Sequence, residues 1–255
     1  MNEDPIFTEA LENMEQAANA LSQLVRPPQF VSLHGNRAFR YVEKSPLQSI
    51  VQKLARMVSS LSAAHLLMKH GFVQEQGAMQ RILDELNEDI TFLSYAIIFD
   101  KWSELHDRFL EAFYEEEFDA NSAIASTQRR KTVTRGNIRA WISNAENGMD
   151  PSSSIELSRT ISKAYSGYVH AASPHIMDMF GGNPPRFHMR GMVGTPRHGE
   201  HRADIWNYFY RGILSCAFAA KAFGAETMFA DIRQYAADFE RASGKDYQSK
   251  AWDGI

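Results

Sequence analysis

The chain has 255 residues, 44% of them apolar, a net charge of −4 and a single cysteine, Cys216. That length and apolar share exclude wholesale disorder, and one thiol excludes an internal disulfide or a multi-thiolate zinc site and fits a reducing compartment. The opening "MNEDPIFTEALENMEQ" is acidic and lacks the basic and apolar regions of a secretory signal, so a cytoplasmic protein is the default expectation.

Charge is unevenly spread: residues 1–120 carry 10 Lys+Arg against 19 Asp+Glu, and residues 121–255 carry 17 against 12, that is −9 and +5. Such a split fits an anion-binding half, or two halves of one bundle that attract each other.

In chain order the signals are helical, and strand-like alternation is nearly absent. "DPIFTEALENMEQAANALSQL" opens with Asp4 as a cap and Pro5 at the first helical position, and it sets Phe7, Leu11, Met14, Ala18 and Leu21 on one stripe before "RPPQF" ends it. Residues 30–44 read as a loop with a short extended piece. Ser45 and Pro46 then start a second helix, with Leu47, Ile50, Leu54, Met57, Leu61, His65 and Met68 along its buried side and Gly71 as its stop. Residues 72–118 continue the pattern too long for one ordinary helix, so two helices, or one bent near "FDKW", are expected. Within it Arg81, Glu85 and Asp89 follow at four-residue spacing, an arrangement of solvated ion pairs unless Glu85 turns inward to orient His170 or Arg211.

A short helix over 135–145 follows the basic run "QRRKTVTR", a weak phosphate-binding signal without a nucleic-acid motif. "GMDPSSS" breaks the chain, and the next helix is expected from Ser152 to about Ser173, its Ser166, Gly167 and His170 on the side where a neighbouring helix approaches closely. There His170 would act as a general acid or base in an enclosed site. A loop over 181–202 comes next, then an apolar helix from Ala203, and last an amphipathic helix over "ETMFADIRQYAADFERAS". The apolar run over 203–224 is interrupted by Asn207, Arg211 and Lys221 before the roughly 20 clean residues a membrane span needs. The whole reads as an all-α bundle of about seven or eight helices in a single domain over 1–255, with a sub-boundary near 146–154 as the other option.

The chemistry concentrates in residues 186–202. Arg186, Arg190, Arg197 and Arg202, with His188, His198 and His201 and intervening glycines, stand just before a helix N-terminus. That is the makings of an anion site, or of a solvated basic cover over the bundle. A metal is not expected, because neither Glu-x-x-His nor His-Glu-x-x-His spacing occurs, and no cofactor is called for. Arg211 lies among "WNYFY" and "GILSCAF" and must find a carboxylate or a bound anion, with Asp84, Glu85 and Asp89 as internal candidates.

The helix ending in "YSGYVHAAS", followed by a Gly/Pro loop and an apolar helix, resembles uncharacterised bacterial all-helical proteins distantly similar to the HEPN superfamily, over about residues 75–225. Tyr165, Tyr168 and His170, with Arg81 and Glu85, carry the resemblance. It implies a helical bundle, often dimeric, whose better-known relatives are RNases of toxin and phage-defence systems. Those nucleases place four to six residues between a paired arginine and histidine; here Arg197 and His201 have three. The expectation is a protein that binds or acts on RNA or a nucleotide phosphate, with His170 and Glu85 as catalytic groups and Arg190, Arg197, His198, His201, Arg211 and Tyr165 as ligand contacts. The alternative is a noncatalytic interaction module, a homodimer with no activity of its own.

Overall fold

A computed structural model describes residues 4–33, 36–122, 124–129, 131–145 and 163–245. Among them run helices α1 (Asp4–Ser22), α2 (Pro46–Lys69), α3 (Val73–Ile98), α4 (Glu104–Tyr114), α5 (Arg135–Ala145), α6 (helical over 163–169), α7 (Ser173–Met177), α8 (Pro196–Ala222) and α9 (Glu226–Ala242). Two antiparallel hairpins complete the architecture: β1 (Gln29–Leu33) with β2 (Asn36–Arg40), and β3 (Phe180–Gly181) with β4 (Arg186–Phe187). The expected break at 148–154 and the start of the following helix lie outside the described residues. None of the described helices is long and apolar enough to cross a membrane.

The all-α expectation holds, with more elements than the sequence suggested. The piece at 30–44 is a hairpin whose Phe30 and Phe39 rings meet at 4.9 Å across the ladder. The long pattern over 72–118 does divide, at 99–103, into α3 and α4. Ser45 makes a full capping box with Gln48 at the start of α2, and Gly71 ends that helix in the left-handed region at φ 70°, where a side chain would be strained.

Helix α8 packs against α1, α2, α3 and α9 and lies at the centre of the core. Phe209 is wholly buried beside Phe7, ring centroids 4.6 Å apart, and near His65. Trp206 stacks on Tyr210 and on Phe239 of α9. One apolar cluster reaches from Phe7 to Phe239, so α1 to α5, α8 and α9 share a core, with Tyr165 of α6 packed against it. Cys216 sits within it, its thiol pushed up to about 12 by burial, a small packed residue as its context implied.

The uneven charge has a structural role here. Three arginines of the basic half close on the acidic side of α3: Arg135 on Asp89 at 2.6 Å, Arg139 on Glu88 at 2.6 Å and Arg211 on Asp84 at 2.6 Å. Lys53 of α2 also reaches Asp89, at 2.7 Å. With Lys53, Glu88, Asp89 and Arg139 all under 10% exposed, this is a buried ion network, and removing one member would strand another. The row Arg81, Glu85, Asp89 therefore splits: Arg81 and Glu85 form the expected i,i+4 pair at 2.7 Å, whereas Asp89 faces inward.

Candidate functional site

Two local features build the site. The first corrects the sequence reading: helix α8 begins at Pro196, seven residues before the expected Ala203. Thr195 caps it by accepting a hydrogen bond from the His198 amide at 3.2 Å, and Pro196 occupies the first turn, where its missing N–H costs nothing. Residues 197–202 are consequently helical, and Arg197 and His201, four apart, share a face. The Thr-Pro start repeats the Ser45-Pro46 signal that marked α2. The second feature is the end of α6. Ala171 adopts φ 50° and the Ala172 amide bonds back to Gly167 at 3.0 Å, so the chain reverses into α7 and brings His175 and Asp178 alongside Tyr168.

Three side chains meet at one phenolic oxygen. Arg197 donates to the Tyr168 hydroxyl at 2.6 Å, Asp178 Oδ2 lies 3.0 Å from it and His201 Nε2 3.1 Å. Arg197 also holds Asp178 at 2.7 Å and the exposed Glu200 at 2.5 Å. Beside this node Tyr165 donates to Asp204 at 2.9 Å. The node opens on a cleft of about 240 Å³ lined by Tyr165, Tyr168, His175, Asp178, Arg197, His201 and Asp204, with Ala164 and Pro174.

The ring of Tyr168 lies flat against α3 at Gly77, where an added Cβ would stand 2.6 Å from the ring carbons. Only glycine leaves room for it. The backbone carbonyl of His201 accepts from buried Gln76 of α3 at 2.8 Å, and Gln74 donates to the His175 carbonyl at 2.5 Å. Helix α3 is thus the back wall to which the site is fixed.

Burial sets the protonation states. His201, 2% exposed, is held down to about 4, first by desolvation and then by the Arg197 guanidinium; it is a neutral imidazole at physiological pH. Burial pushes the Tyr168 phenol up to about 12 and raises those of Tyr165 and Tyr208 further. The cleft at neutral pH therefore presents the protonated phenols of Tyr165 and Tyr168, the neutral imidazole of His201 and the Arg197 guanidinium.

Of the residues singled out from sequence, Tyr165, Arg197 and His201 come together here, and five do not. His170 is exposed beyond the last turn of α6 rather than enclosed; α6 ends at residue 169, and the neighbour that Gly167 admits is the His175 ring. Glu85 faces outward, its side chain 42% exposed and paired with Arg81, so it orients neither His170 nor Arg211. Arg190 is exposed and outside the cleft lining. His198 ties α8 to the end of α2 through the Met68 carbonyl at 2.7 Å. Arg211 finds its carboxylate in Asp84, with Asn87 adding a contact at 3.0 Å, as its apolar surroundings required.

Sequence reasoning missed Asp178, His175 and Asp204 as site residues and named Tyr168 without making it one. Asp178 and His175 sit in an undistinguished "SPHIMD", and only the reversal after Ala171 carries them to the cleft. Among the described residues no group of three or more His, Cys, Asp or Glu side chains could hold a metal ion. No family model, no curated protein and no solved structure matches this chain.

Proposed function

We propose that this chain is a HEPN-like cytoplasmic protein, of a toxin or phage-defence system, that binds or acts on RNA or a nucleotide phosphate, and that its working site is the cleft between α6, α7 and α8. The observation that supports this reading is the convergence of Arg197, His201 and Asp178 on the Tyr168 hydroxyl at the cleft wall. Arg197 is the phosphate contact. Its ion pair with Glu200 is solvent-facing, and such pairs contribute about 0–1 kcal/mol, so a phosphate oxygen can replace it. Asp178 and Asp204 are acceptors suited to ribose hydroxyls or base amino groups. Acid–base work falls to Asp178, Tyr168 and His201 instead of His170 and Glu85.

The test is binding of short RNA oligonucleotides and of nucleoside mono- and diphosphates to wild type, Arg197→Ala and His170→Ala, with folding checked by circular dichroism. At least a tenfold loss on Arg197→Ala with His170→Ala unchanged is the expected result. Equal binding by wild type and folded Arg197→Ala would overturn the assignment.

A second reading, a homodimeric interaction module, is favoured by the surface after α6. Met177, Phe180, Phe187, Met189 and Val193 are all more than 40% exposed, and contiguous exposed apolar surface marks interaction sites. Sedimentation of wild type against Phe180→Ser/Phe187→Ser distinguishes it: a dimer lost in the variant supports this reading, and a monomeric wild type removes it.

A further inference from the structure

Residues 24–44 break the charge pattern of the acidic half of the chain. They hold four basic residues, Arg26, Arg37, Arg40 and Lys44, against one acid, Glu43, or +3, and no Asp or Glu occurs from 16 to 42. The acids bonded to this segment are neutralised where they stand: Arg26 holds Glu43 at 3.3 Å, and Arg40 takes both oxygens of Glu116, at 2.7 and 2.9 Å. Arg37 makes no ion pair with any described residue; its guanidinium lies 4.4 Å over the ring of Phe30.

The same segment is apolar on its outside. Phe30 pairs with Phe39 across the β1–β2 ladder and Ser32 with Arg37, and because successive side chains of a strand alternate between its faces, these four share one face. All four are exposed, whereas Val31, Leu33 and Ala38 of the reverse face are half-buried. Phe30 is 48% and Phe39 66% exposed; flanking the hairpin, where Arg26 meets Glu43, Leu24 is 60% and Val42 50% exposed. Single exposed apolar side chains are ordinary, but four in one short basic segment mark a contact surface. They do not serve the fold, since among the described residues none from β1 or β2 joins the apolar core.

The occupant of this face must be anionic, because a second copy would bring the same +3 against it. A single-stranded nucleic acid would stack its bases on the rings. Phe30 and Phe39, however, lie 4.9 Å apart and tilted by 40°, closer than the about 7 Å, two base rises, that an inserted base needs. Arg37 already covers Phe30, and stacking leaves Leu24 and Val42 without a role. A bilayer with anionic headgroups suits every one of these groups: aromatic and aliphatic side chains enter the interfacial layer while the cations stay among the phosphates.

We propose that the outward face of the β1–β2 hairpin is a peripheral contact for an anionic lipid bilayer, with Phe30 and Phe39 as the inserted pair and Arg37 as a headgroup contact. Two rings and a modest charge give reversible attachment rather than a permanent anchor. The face is remote from the cleft between α6, α7 and α8. Gln48 at the start of α2 holds the Arg26 carbonyl, and the Met68 carbonyl at its other end takes His198; the helix has 24 residues and spans about 36 Å. The two surfaces are therefore tested independently.

The experiment is co-sedimentation of the full chain with phosphatidylcholine vesicles and with vesicles made half of phosphatidylglycerol, at low and high salt. Wild type is compared with Phe30→Ser/Phe39→Ser and with Arg37→Glu, folding being checked by circular dichroism. Wild type is expected to bind the anionic vesicles roughly tenfold more tightly than the neutral ones and to be released by salt. Each variant is expected to lose roughly tenfold in that binding, and both change exposed side chains outside the core. Should the double variant not fold, Arg37→Glu carries the test alone. Absence of vesicle binding by wild type, or binding that a folded variant keeps in full, would overturn the proposal. An RNA complex or a dimer lost in Phe30→Ser/Phe39→Ser, with no vesicle binding, would overturn it in favour of that occupant.

Discussion

Arg211→Ala isolates the energetic logic of the α3–α8 contact. Asp84 is the acid it serves: that side chain is 3% exposed, one oxygen is bonded to the guanidinium at 2.6 Å and the other has no protein partner among the described residues. Removing the arginine leaves a buried carboxylate with neither oxygen paired, for which the general cost is about 3–5 kcal/mol. The Arg211 side chain is itself 30% exposed, so water reaches the site and lowers the expected loss to roughly 2–4 kcal/mol. The Asn87 amide, which also donates to Ser215 at 2.8 Å, stays anchored and limits further damage. Urea unfolding followed by far-ultraviolet circular dichroism measures the difference directly. The companion is Asp84→Leu/Arg211→Met, which removes both charges and fills their volume. It is expected to recover most of the loss, since a buried ion pair replaced by apolar groups is often neutral. A single variant within about 0.5 kcal/mol of wild type, or a double variant as unstable as the single one, would refute the account.

Gly77→Ala is expected to lower stability by about 1–3 kcal/mol even though alanine is the better helix former, because the new Cβ would stand 2.6 Å from the Tyr168 ring; adding Tyr168→Ala should remove that penalty, and thermal melting of both variants checks it. Thr195→Ala should cost about 1 kcal/mol through loss of the α8 cap, read by the urea midpoint. Stability should also fall with acid: His201 and His106 are both held to about 4 by burial, against an ordinary value of 6.5. The native state thus binds fewer protons than the unfolded chain, and stability present above pH 6.5 is lost as pH falls toward 4, by at most roughly 3 kcal/mol for each group. Glu88, raised by burial, opposes this slightly. Urea midpoints at pH 7.5 and 4.5 test it, and equal values at both would contradict the assigned burial.

How much of this was readable beforehand depends on the range of the interaction. Ser45-Pro46 and Gly71 mark α2 because caps and left-handed stops act within a few residues, and the apolar stripe of α1 marks its buried face for the same reason. Thr195-Pro196 carried an equally local signal for α8 and was hidden by the surrounding glycines and basic residues. Arg211 could be assigned a carboxylate partner because burying a lone guanidinium is costly wherever the chain places it. Which acid it takes was not readable, since Asp84, Glu85 and Asp89 differ only in the face each presents. The sequence by itself determined an all-α chain, most helix starts and the need for that pairing, all consequences of local geometry and of the cost of buried charge. Only the tertiary structure decided that His170 stays outside, that Asp178 and His175 return to Tyr168, and that Gly77 leaves room for its ring. Those contacts join residues distant along the chain or turned by a single left-handed residue, and periodicity carries no information about either.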